Sequence, residues 1–268
     1  MCLLLVFKSQ ISAAGDLTLS GARQAGMANT SVMLIDSWGL SNNPAAIGFL
    51  SSSSLGIYHE NRFLLEELSY QTIAFCQPTK YGTIGVDLGY FGYQLYNEKR
   101  FGLAYSIKLH KKIAAAIKLN YLHTKIAGDY GTSAAVYGEI GILGQPIDNL
   151  HIGIHLTNPS NQKLSSLQNE TIPSSIKLGV GYYFTNKFLL AVELEKPSEL
   201  SYQFRTGIDF ELVDDFFLRM GVGSEPNLLA FGFGYHAKNI IIDIAFSKHE
   251  YLGYSPHISL VYHFNKKK

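Results

Sequence analysis

From about residue 53 to the C-terminus, apolar residues fall at nearly every second position. Successive side chains on a β-strand point to opposite sides, so a period of two marks strands with one apolar face. In 229–236, Leu229, Phe231, Phe233 and Tyr235 alternate with Ala230, Gly232, Gly234 and His236. In 176–184, Ile176, Leu178, Val180, Tyr182 and Phe184 alternate with Lys177, Gly179, Gly181 and Tyr183. One face is large and apolar; the other carries Gly, Ala, Ser, His and charge. No comparable stretch keeps a helical period.

Fourteen such segments are legible, near 53–62, 67–77, 81–92, 100–110, 112–123, 132–144, 148–157, 174–184, 187–195, 201–212, 215–223, 227–236, 239–247 and 256–264. At ~3.3 Å per residue and ~40° tilt, ten residues span roughly 25 Å, the height of an outer-membrane barrel's apolar band. The connections alternate. Those at 78–80, 111, 145–147, 185–186, 213–214 and 237–238 are tight, whereas 93–99, 124–131, 158–173, 196–200 and 248–255 are mostly longer and more polar. Tight turns at one rim and longer loops at the other predict an all-β, fourteen-stranded antiparallel transmembrane β-barrel over 53–264, with the tight turns and both termini on the periplasmic side. Ile258, Leu260, Tyr262 and Phe264 resemble the terminal strand by which such barrels are recognised for assembly; a tail, 265–268, follows. Tyr58, Tyr70, Tyr90, Tyr93, Tyr182, Phe184, Tyr235, Phe246, Tyr262 and Phe264 fall near strand ends and predict an interfacial aromatic girdle.

Composition narrows the alternatives. Charged residues make up 16%, against ~25% in soluble globular chains. A net charge of +1 leaves no electrostatic footprint for nucleic acid. Cys2 and Cys76 cannot form a disulfide framework or a four-ligand zinc site. No apolar run approaches the ~18 residues of a transmembrane helix.

The N-terminus departs from the strand pattern. Residues 1–14 read as a residual secretory signal: an apolar run, Cys2 to Phe7, then Ser12-Ala13-Ala14, but no basic start. Residues 15–52 are rich in small residues and alternate only weakly. Barrels of eight strands fill themselves with side chains and those of 16–18 leave a channel, so a non-strand leader here is expected to plug the lumen. Arg23 and Asp36 are candidate plug contacts because a buried segment must pair its charges; Trp38 is a third. Asn43-Pro44-Ala45 is expected at a turn into the first strand, since Pro cannot sit inside a ladder and Asn before Pro initiates turns.

The run from Gly21 to Gly48, with Gly21, Ala22, Arg23, Gly26, Met27, Asp36, Asn43, Pro44 and Ala45 at the matching positions, resembles the N-terminus of FadL-like outer-membrane proteins. Within them it is similar to the PorV/PorQ branch linked to type IX secretion. The resemblance implies a plugged fourteen-stranded barrel in the outer membrane of a Gram-negative bacterium, with Asn43, Pro44 and Ala45 in a luminal hatch. It implies either passive passage or binding of small hydrophobic molecules, or an accessory of type IX secretion that docks secretion-system proteins. The partners expected are outer-membrane lipid, a small hydrophobic ligand or secretion proteins, and no nucleic acid. The loops are short for the apolar capture groove of a transporter.

Nothing in the sequence has the order or spacing of a catalytic site, so neither an enzyme nor a cofactor is expected. His151, His155, His236, His257 and His263 lie on the small-residue face; His151 and His155, roughly 13 Å apart along one strand, are too distant to share a metal unaided. Asp87, Lys108, Lys118, Glu139, Lys177, Glu193, Glu195, Arg205, Asp209, Arg219 and Asp243 are predicted to face inward, as a wetted or ion-paired lining.

Overall fold

The computed structural model describes residues 19–128, 131–163 and 172–264. The predicted signal segment, 1–14, and the tail, 265–268, lie outside the described residues. Fourteen strands follow one another: β1 Ser54–Asn61, β2 Ser69–Pro78, β3 Thr83–Gly92, β4 Tyr96–His110 and β5 Ile113–Ile126. They continue with β6 Gly131–Ile147, β7 Leu150–Thr157, β8 Ser175–Thr185, β9 Phe188–Pro197 and β10 Gln203–Val213. The last four are β11 Phe216–Gly223, β12 Leu228–Ala237, β13 Ile240–His249 and β14 Gly253–His263. Each pairs antiparallel with its sequence neighbours, and β1 closes on β14 from Ser54↔His263 to Glu60↔His257. Closure removes the unpaired edges that a sheet would otherwise expose.

The period-two pattern sorts directly into two faces. Leu55, Ile57, Ile73, Leu88, Leu103 and Ile117 point outward and are exposed, as are their counterparts around the barrel. Between them Ser54, Thr72, Asp87, Ala104 and Lys118 are buried inside. An apolar belt of this kind is covered by lipid, not water. Ile117, 62% exposed, tests that reading. Ile117→Arg should destabilise the barrel in vesicles by about 2–4 kcal/mol, the cost of Arg on a lipid face. A water-facing site would register within about 0.5 kcal/mol. Urea titration read by heat-modifiable gel mobility makes the measurement.

Two of the predicted girdle residues belong elsewhere. Tyr58 and Tyr70 share the register of Ser54 and Thr72, and both are 2% exposed inside the lumen. Their neighbours Tyr90, Phe184, Tyr235, Tyr262 and Phe264 do face outward.

At the tight-turn rim, ion pairs tie neighbouring turns together. Lys112 Nζ donates to Asp148 at 2.9 Å, and Lys187 Nζ to Asp214 at 2.7 Å. The lysine hydrogen bond holds each of these exposed carboxyls below its ordinary range. Ahead of β1 the chain forms two short helices, α1 Ala22–Gly26 and α2 Gly39–Asn42, and a 3-10 helix, Pro44–Phe49. This segment is buried from Ser20 to Gly48 almost without interruption, packed against the inner faces of the strands.

Candidate functional site

The inner segment meets the wall where the wall has no side chains. A Cβ on Gly153 would fall 2.1 Å from the carbonyl oxygen of Val32, and one on Gly221 would fall 2.3 Å from the carbonyl carbon of Met27. Those glycines are the small residues that alternate with the apolar row in the sequence. Their absent side chains are the space the segment fills.

Charge then fixes the segment in register. Asp36 accepts hydrogen bonds from Gln24 Nε2 at 2.8 Å, the Trp38 N–H at 2.9 Å and Arg23 Nη1 at 3.1 Å. Arg23 also reaches Asp209 of β10 at 2.8 Å. Arg219 of β11 then bridges Asp209 at 3.0 Å and Asp243 of β13 at 2.7 Å. The result is a chain of alternating charge, Asp36–Arg23–Asp209–Arg219–Asp243, running from the inner segment into three strands. Each member offsets the desolvation of the next, which an isolated buried charge cannot do.

Two further anchors act on backbone groups. Glu193 Oε2 accepts the N–H groups of Ser31 and Val32 at 2.7 and 2.8 Å, and Arg205 steadies its other oxygen at 3.3 Å. Lys118 Nζ donates to the Leu40 carbonyl at 2.9 Å while paired with Asp87 at 2.9 Å. Lys108, also predicted inward, lies 5.2 Å from the centre of the Phe49 ring, a cation–π contact.

Asn43 plays a part that the sequence does not disclose. Its extended backbone and side-chain Oδ1, which accepts the Ala45 N–H at 3.1 Å, cap the 3-10 helix that Pro44 begins. Pro at the first helical position gives up an N–H that would be unpaired anyway. Asn43 Nδ2 donates to Val32 O at 2.7 Å and to the wall carbonyl of Ile142 at 3.2 Å. The motif is therefore a helix cap pinned to β6, not a turn into β1, which begins only at Ser54.

The lumen divides into sectors. Along β1, β2 and β14 it is apolar and aromatic: Trp38, Leu40 and Ile47 pack with Tyr58, Tyr70 and Val261. The Trp38 and Tyr58 rings meet edge-on at 5.9 Å, Tyr58 and Tyr70 at 6.1 Å. The charged groups described above occupy much of the remaining wall. The predicted luminal histidines are taken up in local bonds: His155 to Glu139 at 2.9 Å, and His257 to Tyr58 and Ser247 at 2.8 and 2.9 Å. No group of three potential metal ligands occurs among the described residues.

At the loop rim, Ile172 is buried against Leu122 and Tyr137, and Asn158 Nδ2 holds its carbonyl at 2.8 Å. At the opposite rim, where the inner segment leaves the lumen, a cavity of about 870 Å³ opens. Phe49 and Leu50 of the inner segment line it together with Phe75 and Phe264, which stand on the outward face of the wall, and Ser51 and Lys108 lie beside them.

No family model and no curated protein sequence matches the chain. Solved structures do. The Pseudomonas putida toluene transporter TodX superposes with a TM-score of 0.70 at 13% identity, covering 94% of this chain and 99% of its own. The Ralstonia pickettii toluene transporter TbuX gives 0.70 at 12% identity, over 93% and 100%. A Pseudomonas aeruginosa FadL homologue gives 0.68 at 11%, over 92% and 98%. Nothing among these comparisons supports the PorV/PorQ branch. What they share with this chain is architecture: it has the closed, fourteen-stranded antiparallel barrel fold of the FadL type.

Proposed function

We propose that the chain is an outer-membrane barrel that binds small hydrophobic molecules and lets them pass, with the segment 19–50 as its luminal plug. The loop rim then faces outward and the tight-turn rim the periplasm. The observation that carries this reading is Leu50, which packs against the aromatic sector and also lines the rim cavity. The plug runs from Trp38, Leu40 and Ile47, inside that sector, directly to Phe49 and Leu50, which line the cavity. A concave, partly apolar site beside a few polar groups suits a small hydrophobic ligand. A hydrocarbon would avoid the ion-paired sectors and follow the apolar one. TodX and TbuX, which share the fold, are toluene transporters, in keeping with this chemistry. Arg23, Asp36 and Asn43 act in it as plug anchors, and Trp38 lines the path. The alternative, a docking platform for type IX secretion, rests on the resemblance around Gly21–Met27 alone.

Uptake of radiolabelled toluene by cells carrying the chain in their outer membrane tests the proposal. The expected result is uptake several-fold faster than in cells lacking it, slowed again by Leu50→Trp in the cavity wall. Equal rates in all three strains would overturn it.

A further inference from the structure

The charged residues of the strands are segregated by face as well as by sign. Every acidic side chain on the described strands stands on the luminal register, from Glu60 and Asp87 to Asp209 and Asp243. The charged side chains on the outward register of the described strands are lysines: Lys99, Lys125, Lys196 and Lys248. Each lies within four residues of its strand's end at the loop rim. Chance placement would scatter both signs over both ends.

Two of the four are already engaged. Lys196 Nζ donates to the carbonyls of Pro197 and Leu200, and Lys248 lies over the Tyr254 ring. Lys99 and Lys125 are exposed and have no acidic partner among the described residues. They sit on adjacent strands. Lys99 pairs with His123 across the β4–β5 ladder, and Lys125 is two residues further along. That diagonal places their side chains about 7–8 Å apart on one face. Tyr90 flanks Lys99 on β3, and His123 lies between the two lysines. Directly below, Phe101 and Tyr121 are cross-strand partners, followed by Leu103 and Leu119, all exposed.

Resting on the outer-membrane placement proposed above, with the loop rim outward, we propose that this outer face of β3–β5 binds the phosphorylated glycolipid of the outer leaflet, lipopolysaccharide, through its lipid A phosphates. Lys99 and Lys125 pair with the phosphates, Tyr90 and His123 donate to neighbouring oxygens, and the acyl chains lie along Phe101, Leu103 and Leu119. Charge complementarity selects the ligand. A uniformly basic row immediately above an apolar belt matches a lipid with several acyl chains and more than one phosphate. A zwitterionic headgroup would leave the two lysines uncompensated.

Native mass spectrometry of the folded, detergent-purified protein with added lipid A tests this. Bisphosphorylated lipid A should be retained in preference to its dephosphorylated form. The double variant Lys99→Gln/Lys125→Gln should retain roughly thirty-fold less, at about five-fold per lysine lost from an anionic membrane surface. Lys238→Gln, in a tight turn at the other rim, should change nothing. Heat-modifiable mobility on gels confirms that each variant is folded before its lipid is scored. Three results would each overturn the proposal: equal retention with and without phosphates, retention unaffected by the double variant, or phosphatidylglycerol bound as well as lipid A and lost with the same lysines.

Discussion

Arg219→Met is expected to cost the barrel about 3–5 kcal/mol, the usual penalty for removing one partner from a buried charge network. Arg219 is fully buried and joins Asp209 to Asp243. Without it Asp209 keeps Arg23 at 2.8 Å, but Asp243 is left with His236 at 3.6 Å. Most of the loss should therefore trace to Asp243. Adding Asp243→Asn to Arg219→Met should recover a large part of it, because the amide carries no charge to strand. Urea unfolding in vesicles of the single and double variants makes the comparison. Equal losses in both would assign the effect to packing and not to charge.

The second large effect concerns conductance. Removing residues 19–45 should raise single-channel conductance in planar bilayers on the order of ten-fold, because a lumen of fourteen strands approaches the width at which barrels hold a water channel. A gentler variant guards against a deletion that fails to fold. Glu193→Ala releases the Ser31 and Val32 N–H groups, and Arg23→Ala cuts the bridge from Asp36 to Asp209. The combined substitution should produce frequent brief openings in a barrel that is otherwise intact. Unchanged conductance in both variants would show that the segment does not control the pore.

The barrel was legible because its two environments impose opposite demands on alternate residues of every strand. Ile176–Phe184 and Leu229–Tyr235 show this without any partner in view. Tight turns such as 237–238 then marked where one strand ended and the next began. The interior was legible only in outline. Inward position could be read for Glu193 and Lys118, since it follows from alternation. Their tasks, holding the backbone at Ser31–Val32 and at Leu40, depend on residues far away in the chain, and no local pattern encodes them. Tyr58 and Tyr70 misled because aromatic residues suit both a membrane interface and a packed lumen. Only parity with Ser54 and Thr72 separates the two cases. Asn43-Pro44-Ala45 was read by its turn chemistry, yet the same side-chain acceptor caps a helix equally well.

The closure of β1 on β14 has a consequence for assembly. Ser54↔His263 joins the start of the first strand to the end of the last, and pairings of such sequence separation form slowly. The plug immediately precedes β1, and the Ala22 N–H donates to Ser259 on β14 itself. Ser37 also donates to Ser54 of β1 at 2.7 Å, so the segment is hydrogen-bonded to both sides of the seam. The strands are therefore expected to wrap around the segment as a cooper's staves close around a former, with the last ladder to form locking it inside.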